Sequence, residues 1–216
     1  QHLETTGNLE CLGGKSYFDY FRSRILELQN RHKIGLWKLD GILTSCNEIS
    51  HGHPIGRDSK PFLTEKFIEI LATIRKESPS TKLQITVGTW QSPWWLEWAD
   101  FIWMGGEDFG LHGDLPSPSK REAAILHRDS YAYHLFHDKM ALIPQSALMT
   151  HGIAKGKFNP VDESEDSIDS FVKDIIMYLG RGVSLWELYI SPSMLSKEHW
   201  EVISELFQWA QSNWPV

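Results

Sequence analysis

The chain of 216 residues is long enough for one large domain, and its 41 % apolar content is that of an ordinary folded protein, which excludes disorder. A formal net charge of −7 with no extended basic cluster removes the phosphate attraction on which nucleic-acid binding rests, so no nucleic acid is expected as a partner. No apolar run approaches the roughly 18–20 residues that cross a bilayer, and residues 1–8 are polar, so no membrane association is expected. Two cysteines, Cys11 and Cys46, are too few for a disulfide scaffold and too far apart for a CxxC motif. They leave the compartment open, secretion and the periplasm included.

In chain order, helical periodicity first covers 17–31, followed by an apolar strand at 35–42. A second helix at 63–77 carries Phe67, Ile70, Leu71 and Ile74 on one face, and a strand at 83–90 follows, then one at 101–105. A helix is expected at 119–138, a strand at 141–149 and an acidic, solvated loop at 159–169. The helix at 168–179 buries Phe171, Ile175, Tyr178 and Leu179 and is expected to stop at Gly180. A last strand at 184–190 leads to a helix at 197–213, with Ser196 as N-cap and Glu198 in its first turn. Short apolar strands alternating with amphipathic helices are the pattern of βα units in a parallel sheet. Nothing after the first strand resembles GxGxxG, which favours a TIM-like (β/α) barrel over a dinucleotide-binding sheet.

In such barrels the chemistry sits at the carboxyl ends of the strands. The first strand ends Lys38-Leu39-Asp40, and alternation puts Lys38 and Asp40 on one face. An ammonium beside a carboxylate favours the charged form of both and can donate to a sugar hydroxyl, although a purely structural pair reads the same way. On the 83–90 strand, Gln84, Thr86, Gly88 and Trp90 alternate with Leu83, Ile85 and Val87, which brings Trp90 to the mouth. Ten tryptophans, five of them clustered at Trp90, Trp94, Trp95, Trp98 and Trp103, suit sugar stacking as well as core filling.

The Lys38-Leu39-Asp40 strand resembles that of the melibiase-type α-galactosidases and α-N-acetylgalactosaminidases, where the last residue of a Lys-x-Asp motif is the nucleophile. The resemblance implies that Asp40 is the nucleophile and that Lys38 contacts sugar hydroxyls. Two strands later, Trp103-Met104-Gly105-Gly106-Glu107-Asp108-Phe109 looks like the segment that delivers the family's acid/base. An ungapped match implies Asp108 in that role. Glu107 stands where the family has a small residue and is the competitor, and Met104 stands where an arginine is common. The segment 143–151 resembles a late-strand segment ending in a histidine, here His151, and the unit around 180–200 follows the same layout. With Trp90 and Trp103, Lys38 and His151 complete the expected substrate-binding set. Thr89-Trp90-Gln91-Ser92 matches neither common pattern for the sugar's 2-substituent, so galactose and N-acetylgalactosamine both remain open.

A retaining glycosidase needs two carboxyl groups about 5–5.5 Å apart, one to attack and one to protonate the leaving oxygen. The expected activity is therefore exo-cleavage of terminal α-galactose-type sugars, with a catalytically silent glycan-binding barrel as the rival. A full barrel has eight units in roughly 250 residues. Five strands are read here, beginning at the family's fourth, so the chain is expected to be the C-terminal five βα units. The missing N-terminal part, or a neighbouring chain, is then the expected partner along the 35–42 and 184–190 strands. Cys46, His51 and His53 have a spacing that suits zinc, but an isolated C-x4-H-x-H is weaker than paired ligand motifs, and neither metal nor cofactor is expected. His134 and His137 flank a buried helical face. Ser146 with His151 lacks the GxSxG elbow of a hydrolase triad. Glu187 is a candidate third acid at the site, although period two gives it the same face as Leu185 and Tyr189, which leaves its direction open.

Overall fold

The computed structural model describes residues 4–7, 9–42, 44–86, 91–105, 119–138, 142–156 and 166–213, without the side chains of 153 and 154. The chain divides into two compact units, Gln1–Trp103 and Met104–Val216. Both are built from parallel strands joined by helices.

The first unit opens with a two-residue hairpin, β1 (Thr5–Thr6) and β2 (Leu9–Glu10), turned at Gly7 with φ +61°. Helix α1 (Lys15–His32) starts at Gly14, which has no side chain to cap it. The Glu4 carboxylate does so instead, accepting the Ser16 and Tyr17 amides at 3.1 and 2.8 Å, and these bonds outweigh desolvation to hold its pKa below the usual value. Strands β3 (Leu36–Leu39), β4 (Lys82–Ile85) and β5 (Phe101–Trp103) run parallel in that order. Helix α2 (Ser59–Glu77) lies between β3 and β4 in the chain and buries the Phe67, Ile70, Leu71 and Ile74 face read from the sequence, with Leu63.

A neutral polar hub ties these elements together. The buried Gln29 amide nitrogen lies 3.2 Å from the Ile34 carbonyl, 3.1 Å from Ser78 Oγ and 3.0 Å from Thr81 Oγ1. Its oxygen accepts the Trp37 indole at 2.8 Å. Each group is satisfied, so the hub specifies register without an orphaned donor. At the same, amino-terminal end of β4, Asp100 accepts from Arg75 at 2.7 Å and from the Leu83 amide at 2.9 Å. Trp95, in a short 3-10 turn at Pro93–Glu97, is core and meets Phe67 edge-on, whereas Trp94 beside it is 44 % exposed.

In the second unit, α3 (Lys120–Tyr133) is capped by Ser119 and runs into a π-helical turn, His134–Asp138, where both histidines pair with Asp138 at the surface. Strand β6 is Leu148–Lys155, not 141–149: Pro144 lacks a ladder donor, and Gln145–Ala147 forms a 3-10 turn that delays the strand. Helix α4 (Ile168–Gly180) is capped by Ser167, and the left-handed residue after it is Gly182, φ +73°, not Gly180. Strand β7 (Leu185–Ile190) pairs parallel to β6, and α5 (Lys197–Asn213) follows. Phe171, Ile175, Tyr178, Leu179 and Ala210 form the core, packed by Trp186, Leu188, Val202, Leu206 and Phe207.

Beside that core lies an ion network that takes in Asp166, which thereby departs from the expectation of a solvated acidic loop over 159–169; residues 159–165 lie outside the described residues. Asp166 is 1 % exposed in its side chain and pairs with Arg121 and, at 2.6 Å, with Lys155. Asp174, fully buried, meets Arg121 at 2.8 Å and Arg128 at 3.1 Å. Burial alone would raise the Asp166 carboxyl; the Arg121 and Lys155 hydrogen bonds outweigh it and hold the pKa below 3.8.

Removing one partner of such a network strands the others, so Asp174→Ala should cost about 3–5 kcal/mol in urea unfolding followed by circular dichroism. A cost below about 1 kcal/mol would show that the network does not stabilise the unit. Because the Asp166 pKa is depressed on folding, its stabilisation is complete above the unfolded value near 3.8 and is lost as pH falls through the lower folded value. Asp166→Asn should therefore flatten the acid limb of the stability profile in that window, while leaving the profile's shape near neutrality unchanged.

Candidate functional site

Strand register places the candidate residues of the first unit. Lys38 is level with Gln84, and Leu39 with Ile85 and Ile102. One step on, Asp40, Thr86 and Trp103 come level at the carboxyl ends of the three strands. Alternation then puts Lys38, Asp40, Gln84, Thr86 and Trp103 on one face of the sheet, while Leu39, Leu83, Ile85 and Ile102 are buried on the other. Thr86 fixes the end of β3 by directing both its amide and its hydroxyl to the Leu39 carbonyl, each at 3.3 Å.

Asp40 stands on the first residue past β3, exposed, and its Oδ1 accepts the Gly41 amide at 2.7 Å. Gly41 has φ +69°, a conformation that glycine adopts without strain. The chain thus turns sharply behind the carboxylate. Lys38 is exposed and Trp103 half-buried. This corner presents an exposed carboxylate, an exposed lysine and a half-buried indole on one face of the sheet.

His151 belongs to the second unit and lies within β6, level with Glu187 of β7, rather than just past a strand end. Its Nε2 is 3.3 Å from Glu187 Oε2, which also accepts the Tyr189 hydroxyl at 3.2 Å, and the His151 and Tyr189 rings meet edge-on. Glu187 thus joins a histidine and a tyrosine. The ladder shifts register after His151, a bulge that re-aims the strand. The buried Tyr178 hydroxyl donates to the Thr150 carbonyl at 2.5 Å and accepts the Glu187 amide at 3.1 Å, locking α4 to both strands. Gly152 is required there, since a Cβ would lie 1.9 Å from the Tyr178 ring. Next to His151 is a small cavity lined by His127, Arg128, Tyr131 and Thr150, with Met104 and Gly105 at its wall.

Trp90, Glu107 and Asp108 lie outside the described residues. Sequence reasoning missed two partners: Tyr189 beside His151, and Cys11 beside the Cys46, His51 and His53 group. Alternation along the last strand pairs Tyr189 with Glu187, and the Gly13-Gly14 pair following Cys11 marks a tight approach. Cys11, Cys46, His51 and His53 each present a ligand atom within 4.8 Å of the others.

No protein-family model and no curated protein matches the chain. Solved structures do. A GH36 α-galactosidase from Geobacillus stearothermophilus, in complex with 1-deoxygalactonojirimycin, superposes with a TM-score of 0.56 at 9 % identity over 98 % of this chain and 27 % of its own. A chitinase from Rhizomucor miehei superposes with a TM-score of 0.50 at 14 % identity over 91 % of this chain and 76 % of its own. The chain thus spans about a quarter of the α-galactosidase's length. At such identities the likeness is one of fold alone, a TIM-like α/β architecture shared with these two enzymes.

Proposed function

We propose that the protein is a retaining, exo-acting α-glycoside hydrolase that removes terminal α-galactose or α-N-acetylgalactosamine by double displacement. The observation that supports this reading above others is the Lys38–Asp40 pair at the carboxyl end of a parallel strand within a glycosidase-like fold. Asp40 attacks the anomeric carbon and forms a glycosyl ester. The leaving oxygen takes its proton from Asp108, with Glu107 as the alternative acid, and the resulting carboxylate then deprotonates the water that hydrolyses the ester. Lys38 and His151 hold sugar hydroxyls, while Trp90 and Trp103 stack on the C–H face of the ring.

Hydrolysis of chromogenic α-galactosides and α-N-acetylgalactosaminides tests the reading directly. Asp40→Asn should lower kcat by about a thousand-fold or more while circular dichroism stays unchanged, because the covalent route is lost and the packing is not. Retention of more than a few per cent of activity would remove Asp40 from its role. Sugar binding without turnover in the unaltered protein would mark a silent glycan-binding barrel instead.

Asp108→Asn and Glu107→Gln should differ. Loss of the true acid slows substrates with poor leaving groups far more than those with good ones, since the latter need little protonation. If neither variant shows that dependence, the acid lies elsewhere. Gly41→Ala should cost about 1–2 kcal/mol through its left-handed backbone alone, as a Cβ there meets nothing within 4 Å. Hydrolysis should fall with it as the Asp40 turn is displaced, whereas Gly35→Ala, equally uncrowded, should change neither.

A further inference from the structure

We infer that Cys11, Cys46, His51 and His53 form a structural zinc site that staples the loop 40–58 to the segment preceding α1. Zinc held by two thiolates and two imidazoles, at about 2.3 Å and 2.0 Å, spaces its ligand atoms roughly 3.3–3.8 Å apart in a tetrahedron. Cys11 Sγ is 3.2 Å from His53 Nε2, Cys46 Sγ is 3.4 Å from His51 Nδ1, and all four ligand atoms lie within 4.8 Å. Both cysteines and His53 are buried. Two buried thiols and two imidazoles satisfy one another poorly, as S–H is a weak donor, whereas one soft-tolerant divalent cation satisfies all four.

The surroundings are those of a metal site rather than of a chance cluster. His53 Nδ1 donates to the Pro54 carbonyl at 2.6 Å, which fixes the tautomer and leaves Nε2 with its lone pair toward the sulfurs. Cys46 Sγ receives the Glu48 amide at 3.4 Å and lies 2.9 Å from Thr6 Oγ1, contacts that orient the sulfur as an acceptor. The Cys46 amide is held by Ser59 Oγ at 2.9 Å, and the Gly56 amide donates to the Cys46 carbonyl at 2.8 Å, closing the loop that carries three ligands. At Gly13 a Cβ would come within 2.4 Å of the His53 ring, so only glycine lets the Cys11 turn approach that imidazole. Four protein ligands leave no open position, which makes the site structural and not catalytic.

The inference does not rest on the hydrolase reading, and its readout is independent of hydrolysis. The full chain, purified under reducing conditions, should carry about one zinc per molecule by plasma mass spectrometry. After chelation, titration with Co2+ should give the visible bands and near-ultraviolet charge transfer of tetrahedral thiolate–imidazole cobalt, displaced by Zn2+. Zinc should raise Tm, and Cys11→Ser and His53→Ala should each weaken Co2+ binding by at least about 100-fold. If a variant fails to fold, the spectrum of the unaltered chain still decides. A reduced chain that shows no tetrahedral cobalt spectrum overturns the proposal, as does a Cys11–Cys46 disulfide in the purified protein by intact mass.

Discussion

Parallel strands cannot be joined by a tight turn, because the chain must travel back the length of the sheet before it can pair again. Each of the parallel strands β3, β4 and β6 therefore ends on a long excursion before the chain pairs again, and the carboxyl ends collect whatever the excursions bring. Asp40 stands where β3 ends and the loop 40–58 begins; Trp103 ends β5. The apolar face of the sheet is committed to its helices, so polar groups gather on the other face, where Thr86 comes level with the two strand ends and Lys38 and Gln84 lie two residues before them. The proposed chemistry uses a location that strand polarity creates.

The two units satisfy their buried polar groups in different ways. In the first, Gln29 serves four partners without carrying charge, so little desolvation cost is incurred and the geometry of the amide sets the registry of α1, β3 and the turn before β4. In the second, two arginines and a lysine face two aspartates with almost no exposure. Such an arrangement is sensitive to the loss of any member, since each ion's desolvation is compensated only by the rest.

What the sequence disclosed and what it hid divide along one physical line. Periodicity is local, so the helices at 63–77, 168–179 and 197–213 and the alternation that pairs Lys38 with Asp40 were readable from neighbours a few residues apart. The start of β6 was misplaced because an apolar run containing Pro144 scores as strand although its backbone cannot pair. The burial of Asp166 was invisible: its partner Arg121 lies 45 residues away, and an acid in an acidic stretch looks solvated. Cys11 was set apart for the same reason, 42 residues from the imidazole it touches. His151 was legible as a polar residue of interest but not as a member of a group, since Glu187 and Tyr189 join it only through the β6–β7 ladder.

The Glu4 carboxylate supplies the acceptor for the first amides of α1, a task that Gly14 cannot perform, and the Cys11 amide donates in turn to the Glu4 carbonyl. The start of the helix is thus held by a side chain ten residues upstream of its N-cap. Without that carboxylate the first turn of an 18-residue helix would fray, and Gln29, near the far end of the same helix, would transmit the loosening to β3, which leads into Asp40.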